Sequence, residues 1–576
     1  MNQPTPAIVA QSAVRRLPRT ALLLLCAAYV LAGLLGRGPW KSADVEAFGY
    51  MAQLAAGGDF ASRWLDPLLL GMRPETAALI PYWIGAGAIQ LAPAWLRPDL
   101  AVRLAFGLLL WGTLAASWYA MYYLARTPRA QPVAFAFGGE AKPTDYARAM
   151  ADGALLALLA CLGLAQLGHE TTPALTQLFF ASYLFYGVAA FPYRPGAATL
   201  ALPVGTAGLA LSGAPTLALL LGSGCALLAL AERRLAGRST DADASPVYTA
   251  RAVATIAAST ALAAALAWSL DQLQWRIALP GSHVGASVAG DIKSHAKLLL
   301  WFTWPVWPLA IWTLWRWRRQ LRARHVALPL LFALVPMGAT LTTDFSDRSL
   351  LLALPAIATL AALALPTFSR SAAALIDWFT LLLFSAGAIA IWVIWISLQT
   401  GVPAKPAANI MRLAPGFTHE FAALPVVFAL IGTIAWCWLV RWRTGRHRAA
   451  LWKTLVLPAG GTALGWLLLM TLMLPPFDYV LSYAPQVRAI AARTGQPACI
   501  AELSLRRPQV AALRHHGGFV LKPINSHTEC GWLLVNPDSI ALLHNIVNLE
   551  QWRLIGTFRR RTSASDDLLL YQRSAP

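Results

Sequence analysis

Residues 380–398 read TLLLFSAGAIAIWVIWISL and carry no charge. As an α-helix rising 1.5 Å per residue, such a run spans roughly 28 Å, close to the ~30 Å hydrocarbon core of a bilayer. No water inside a bilayer can satisfy an exposed peptide group, so a run like this must bond to itself as a helix. Similar blocks recur along the 576 residues, 57% of which are hydrophobic and only 12% charged. A soluble domain has about 25% charged residues. The expected fold is an all-α polytopic membrane protein.

About thirteen blocks can be read as spans, from about 20–36 to about 451–474, with the third at about 149–167 and the fourth at about 172–190. The first follows Arg15, Arg16 and Arg19, as the apolar part of a signal peptide would. No small-residue cleavage site follows it and further spans do, so it reads as a retained anchor. Three of the blocks bear directly on the chemistry below: the second, about 97–125, and the third and fourth, whose junction holds His169-Glu170.

The formal net charge is +20. The arginines lie in short clusters between apolar blocks, among them Arg233-Arg234-Arg238, Arg316 to Arg324 and Arg441 to Arg448. Placing these clusters in the cytoplasm orients the whole chain. No basic segment is interleaved with an aromatic platform, so nucleic acid is not expected as a partner. The same orientation puts Asp44, Glu46, Asp59, Glu170, Asp344 and Asp347 outside, in the loops of a bacterial inner membrane protein whose N-terminus is cytoplasmic.

Two regions depart from the pattern of spans. In the 37–96 loop, Phe48, Met51, Ala52 and Ala55 recur at helical spacing, and an apolar stretch covers Ala77 to Ala92. Both read as helices at the outer interface, anchored by Trp40, Trp64, Tyr82, Trp83 and Trp95. The tail, 475–576, has short β-rich runs at Ala498–Leu503, Gly518–Leu521, Trp532–Asn536, Leu554–Phe558 and Leu568–Tyr571, with a helix at about 538–549. It is expected to be a small periplasmic α/β domain following a transmembrane domain of residues 1–474. Cys499 and Cys530 are the two cysteines in this tail, and an oxidising compartment would let them form a disulfide.

Three groups of residues invite chemistry. Asp44 and Glu46 open the first outer loop, where a carboxylate can take a proton from an acceptor hydroxyl or amine. Asp44 suits the cap of the following helix equally well. On a helix the two acids point about 200° apart, so one site cannot use both. His169 and Glu170 join the third and fourth spans and could contact an acceptor or a metal; Glu170 would also favour the start of a helix. Arg348, with Asp347 beside it, has the geometry to hold a phosphate at a span end. Lys293 and Lys297, with His283 and His295, could assist, although lysines at span ends commonly snorkel. There is no phosphate-cradling glycine loop, no dinucleotide fingerprint and no metal-binding cysteine spacing, so neither nucleotide hydrolysis nor a cofactor is expected. The lone His169-Glu170 pair falls short of the three or four ligands a metal needs, and no metal is expected.

Ala43-Asp44, then Gly57-Gly58-Asp59-Phe60, then Ile80-Pro81-Tyr82-Trp83 resembles the first outer loop of the GT-C membrane glycosyltransferases. The likeness is to the branch of aminoarabinose transferases and protein mannosyltransferases, the latter using dolichyl-phosphate-mannose. The tract Asp347-Arg348-Ser349-Leu350 through Leu354-Pro355, and Leu474-Pro475-Pro476-Phe477-Asp478, are similar to further stretches of that branch. The resemblance implies a GT-C-like fold and a transferase using a polyprenyl-phosphate-linked sugar. Its catalytic acid carries over to Asp44, with Glu46 as the fallback, and its second acid to Glu170. Its phosphate-contacting base carries over to Arg348, and Tyr82 falls in the aromatic pair of the loop. Two family features are replaced here: Lys-Pro-Pro before Tyr-Trp by Ala78-Leu79-Ile80-Pro81, and Lys-Gly by Ser212-Gly213.

The expectation is thus an inverting glycosyltransferase. It would move a sugar from a lipid-linked donor in the bilayer to a glycan, lipid A or protein acceptor. A transporter or flippase of a lipid-linked intermediate is the rival reading, although such proteins often show internal repeats and charges at the bilayer midplane.

Overall fold

Apolar side chains repeated around every face leave the backbone no partner but itself, and the chain is accordingly mostly helical. The structure, a computed structural model, describes residues 5–57, 64–236, 247–273, 288–342, 347–445, 450–525, 529–560 and 566–574. Asp59, His283 and Asp344 lie outside the described residues, as do the side chains of Asp347 and His295.

Among the described residues, seven helices are long and apolar enough to cross a membrane, including Pro98–Ala125, Pro173–Ala190 and Lys453–Thr471. An eighth candidate is a pair, Ala296–Phe302 and Trp307–Arg316, bent by 96°, and four shorter apolar helices accompany these. The expected third span takes another form. The helix Pro143–Ala160 begins with Asp145 and Arg148, carries Asp152, and stops at Cys161 before Leu162–Leu167 resumes. Leu162 N–H donates to the Trp304 carbonyl at 3.1 Å across this break. The Trp118 indole N–H donates to Asp152 at 2.9 Å. The apolar stretch read as one uninterrupted span is therefore a broken helix with a satisfied carboxylate.

The described chain forms two compact units. The first comprises 1–33, 106–391 and 423–471. Its helices approach closely wherever small residues allow it. A Cβ at Gly205 would lie 2.8 Å from the Leu184 backbone nitrogen, so only glycine permits this approach. The helix Ala423–Thr444 exposes Leu424, Val427, Phe428, Ile431, Ile434 and Trp438. In water that surface would aggregate; in a multi-pass membrane protein it meets lipid.

The second unit comprises 34–105, 392–422 and 472–576. Among the described residues its sheet has five strands: β1 (Ile500–Leu503), β2 (Leu521–Pro523), β3 (Trp532–Val535), β4 (Trp552–Phe558) and β5 (Leu568–Arg573). Their order is β2-β1-β3-β5-β4. β1 pairs in parallel with β2 and β3, and β5 pairs antiparallel with β3 and β4. Ala501, Leu503, Leu533, Val535, Trp552 and Leu569 bury one face, together with Leu543 from the Ile540–Ile546 helix. Cys499 and Cys530 precede the neighbouring strands β1 and β3 and form a disulfide, their Cα atoms 5.4 Å apart. This tail is an α/β domain. Its helix Arg507–Gly517 connects β1 to β2 and is capped by Gly518 at φ 64°, a conformation glycine adopts without strain.

Candidate active site

The first acidic group stands on the helix Ser42–Ala55 in the second unit. Lys41, in an extended conformation, holds the N-cap position, so Asp44 is the third helical residue rather than the cap. An acid in the first turn meets the positive end of the helix dipole favourably. Asp44 is completely buried. Arg37 Nη1 donates to its Oδ2 at 3.3 Å, and both side chains are withdrawn from solvent. The Arg37 guanidinium also lies 4.4 Å over the Trp40 ring. Burying a carboxylate costs several kcal/mol unless it is paired and hydrogen-bonded, and Arg37 supplies both.

A second buried pair stands close by. Arg103 Nη2 donates to Asp99, its Nε to the Asp99 carbonyl at 3.1 Å, and its Nη1 to the Leu34 carbonyl at 3.0 Å. Arg97 grips the same carboxylate from outside, at 3.1 and 3.0 Å. Arg37 and Asp44 both act electrostatically on Arg103. Asp478, on the helix Leu474–Leu481, is within reach of Arg37, Arg488 and Arg103; burial raises its pKa and these arginines oppose the rise. Its Oδ1 is buried without a hydrogen bond among the described residues.

The two sides of the Ser42–Ala55 helix have different neighbours. Ser42, Glu46, Gly49 and Gln53 step by four, three and four residues and so form one stripe. Ser42 Oγ meets Tyr483 Oη at 3.0 Å, and Glu46 pairs with Arg507 at 3.5 Å. A Cβ at Gly49 would lie 2.5 Å from the Ala511 Cβ, and Gln53 accepts from Arg514. All four partners belong to the C-terminal tail. The other side carries Asp44 and, seven residues on, Met51, which packs on Gly85 of the helix Ile80–Leu91. Tyr82 of that helix donates to the Thr76 carbonyl at 3.4 Å, and its ring lies 5.5 Å from that of Tyr50.

The second acidic group lies in the first unit. Glu170 is buried and pairs with Arg348 at 3.8 Å, Arg348 being 41% exposed in its side chain. The turn before Pro173–Ala190 and the short helix Asp347–Leu351, widely separated in sequence, thus bring the second candidate acid and the candidate phosphate contact together. Glu170 precedes the helix Pro173–Ala190, whose N-cap is Thr172. His169 Nε2 is 2.8 Å from the Tyr29 carbonyl and its Nδ1 3.3 Å from the Ala165 carbonyl. Its ring also packs on Tyr29 and Trp466, with centroids 5.2 and 4.8 Å away. A neutral imidazole donates from one ring nitrogen, so only one of these two carbonyls receives its hydrogen bond. Among the described residues, no three His, Cys, Asp or Glu side chains come together as a metal site. Lys293, on the helix Val288–Phe302, is exposed.

Sequence reading passed over Arg37, Asp99 and Arg103, and used Asp478 only as part of a resemblance. A signal for Arg103 existed: it is an ionisable residue inside an apolar block, and such residues face protein partners. Arg37 had none, because its partner is identified only by the turn between Leu34 and Lys41.

No family model matches the chain, and no curated protein matches it in sequence. Solved structures do match. The crystal structure of ArnT from Cupriavidus metallidurans bound to undecaprenyl phosphate aligns with a TM-score of 0.62 at 14% identity, covering 96% of this chain and 98% of that one. The same protein in its apo state gives 0.58 at 15%, covering 96% and 97%. The fold is therefore of the GT-C class that the loop residues resemble. Within that class it is ArnT-like, from the first helices through the C-terminal sheet.

Proposed function

We propose that this chain is an inverting glycosyltransferase that moves a sugar from a polyprenyl-phosphate carrier to an acceptor at the periplasmic face of a bacterial inner membrane. The observation that carries this reading is a completely buried Asp44, paired with Arg37, on the first loop of a chain with the fold of an undecaprenyl-phosphate-binding protein. Asp44 is the general base. The acceptor oxygen or nitrogen attacks the anomeric carbon opposite the phosphate, and the bond from that carbon to the phosphate oxygen breaks. The electron pair leaves with the polyprenyl phosphate, and Asp44 takes the acceptor proton. Arg348 offers its charge to the phosphate, where a guanidinium matches the geometry and stabilises the leaving group. Glu170 holds Arg348. Glu46, paired with Arg507, serves the helix rather than the reaction. No metal is assigned a role. The acceptor class is a lipid A, surface glycan or protein, and the C-terminal domain is periplasmic.

The test uses purified protein in nanodiscs with synthetic polyprenyl-phosphate sugars and each acceptor class, following release of polyprenyl phosphate. Turnover that Asp44→Asn abolishes is expected. If the wild-type chain turns over no donor yet moves an intact lipid-linked sugar across vesicle membranes, the reading is overturned.

A further inference from the structure

A buried polar cluster joins the N-terminus of the Ser42–Ala55 helix to the end of the chain. Arg560 is buried, and its Nη1 donates to Ser42 Oγ at 3.1 Å and to Asp566. Its Nη2 donates to the Leu481 carbonyl at 2.7 Å, and its guanidinium lies 3.7 Å over the Tyr483 ring. Tyr483 Oη donates to Asp566 Oδ2 at 3.1 Å. Burial pushes the Tyr483 phenol up to about 12, with Arg560 opposing, so the phenol keeps its proton and remains a donor.

Two physical facts make this cluster unusual. A cation at a helix N-terminus is on the wrong side of the dipole, so Arg560 is tolerated there through Asp566. The residue at the N-cap, Lys41, makes no side-chain capping hydrogen bond, so the first turn of this helix is held by Ser42 instead. Residues two apart on a helix point about 200° apart. Fixing Ser42 against Arg560 and Tyr483 therefore turns Asp44 to the opposite side.

We infer that Arg560 is a positioning residue for Asp44: through Ser42 it sets the rotation of the helix that carries the base, so the C-terminal domain is a template for the active site. This rests on Asp44 being the base. Arg560 does not touch the reacting atoms. It acts on how often the carboxylate is aligned, which belongs to kcat and not to donor affinity.

The experiment is a double-mutant cycle on the full chain in nanodiscs, at a temperature well below each variant's melting point. Arg560→Ala is expected to lower kcat roughly 10–100-fold, as a displacement of about 1 Å does, with donor KM within about twofold. On an Asp44→Asn background, Arg560→Ala should change the residual rate by less than about twofold, because the group it positions is gone. An equal loss in both backgrounds, or an unchanged kcat in the first, overturns the inference. Should Arg560→Ala fail to fold, Ser42→Ala removes the bonds to Tyr483 and Arg560, Tyr483→Phe removes those to Ser42 and Asp566, and both leave the Arg560–Asp566 pair intact. They should lower kcat by roughly 3–10-fold, and normal kcat in both overturns it. If Asp44→Asn is inactive while Arg560→Ala is normal, the positioning role alone falls. If Asp44→Asn is fully active, the base assignment falls and takes this role with it.

Discussion

Asp44 and Glu170 are both buried carboxylates beside an arginine, but the two pairs are built for different work. Arg37, the partner of Asp44, is as buried as the acid it holds, and the pair closes at 3.3 Å. Arg348, the partner of Glu170, is 41% exposed, and the pair is looser at 3.8 Å. A pair sealed on both sides fixes a charge in one orientation. In a pair with one open side, the arginine has somewhere to meet a ligand. The two acids are equally buried, so what separates the pairs is burial of the partner; on the proposed function the sealed pair holds the base and the open one offers its arginine to the phosphate.

The largest expected effect tests the sealed pair as a catalytic one. Asp44→Asn keeps the shape and removes the proton acceptor, so transfer should fall by about 10²–10⁴-fold with membrane insertion unchanged. Glu46→Gln, which disturbs a partly exposed pair with Arg507 and keeps an oxygen to accept from the Glu75 N–H, should stay within about tenfold of wild type. If the two outcomes are exchanged, the base is Glu46 and the comparison is drawn on the wrong acid.

Removing the partner tests the sealed pair as a structural one. Arg37→Ala removes the buried cation paired with the Asp44 carboxylate and should cost about 3–5 kcal/mol in thermal or denaturant unfolding. Glu170→Gln should cost less, since Arg348 can turn to solvent. Equal destabilisation by the two variants would erase the distinction between the pairs.

Arg348→Ala sharpens the open pair. It should raise the donor KM by the worth of a charge-assisted hydrogen bond, about 1.5–3 kcal/mol, with little change in melting. An unchanged KM would return Arg348 to an ordinary snorkelling role.

The smallest effect concerns pH, in the unit that holds Asp44. Burial lowers the pKa of His516 to about 4, with His515 and Arg488 next, and burial lowers His515 as well. Phe48 packs edge-on against His515 at 4.6 Å. Groups whose folded pKa lies below the unfolded value of about 6.5 bind more protons when unfolded. Their contribution is complete above that value and is lost as pH falls towards about 4. Unfolding of this unit followed from pH 7 to pH 4 should show the decline, and His516→Gln should flatten it.

Much of the architecture was legible in the chain because lipid leaves few solutions. A charge-free run such as 380–398 has one structure open to it, and it lies within the helix Arg370–Thr400. Four of the tail's strand runs were readable for a similar reason, but the run read at Gly518–Leu521 meets β2 only at Leu521, because Gly518 closes the helix before it. Where an apolar stretch was not uniform, its course was less legible: the third span, read at about 149–167, is two helices, Pro143–Ala160 and Leu162–Leu167, parted at Cys161, and the first carries Asp152. The amphipathic helix Ala404–Leu413, with Lys405 and Arg412 among its ten residues, was also passed over, because it is too short and polar to resemble a span.

The sequence by itself determined the class of protein, the helical solution in each apolar block, and the acids worth testing, since hydropathy and residue chemistry are local properties. The partners were decided only by the tertiary structure. Arg37 meets Asp44 across a turn, Arg348 meets Glu170 from another loop, and Arg560 reaches Ser42 from the far end of the chain. Electrostatic pairing depends on distance in space and on exclusion of water, and the order of residues along a chain encodes neither until the chain has packed.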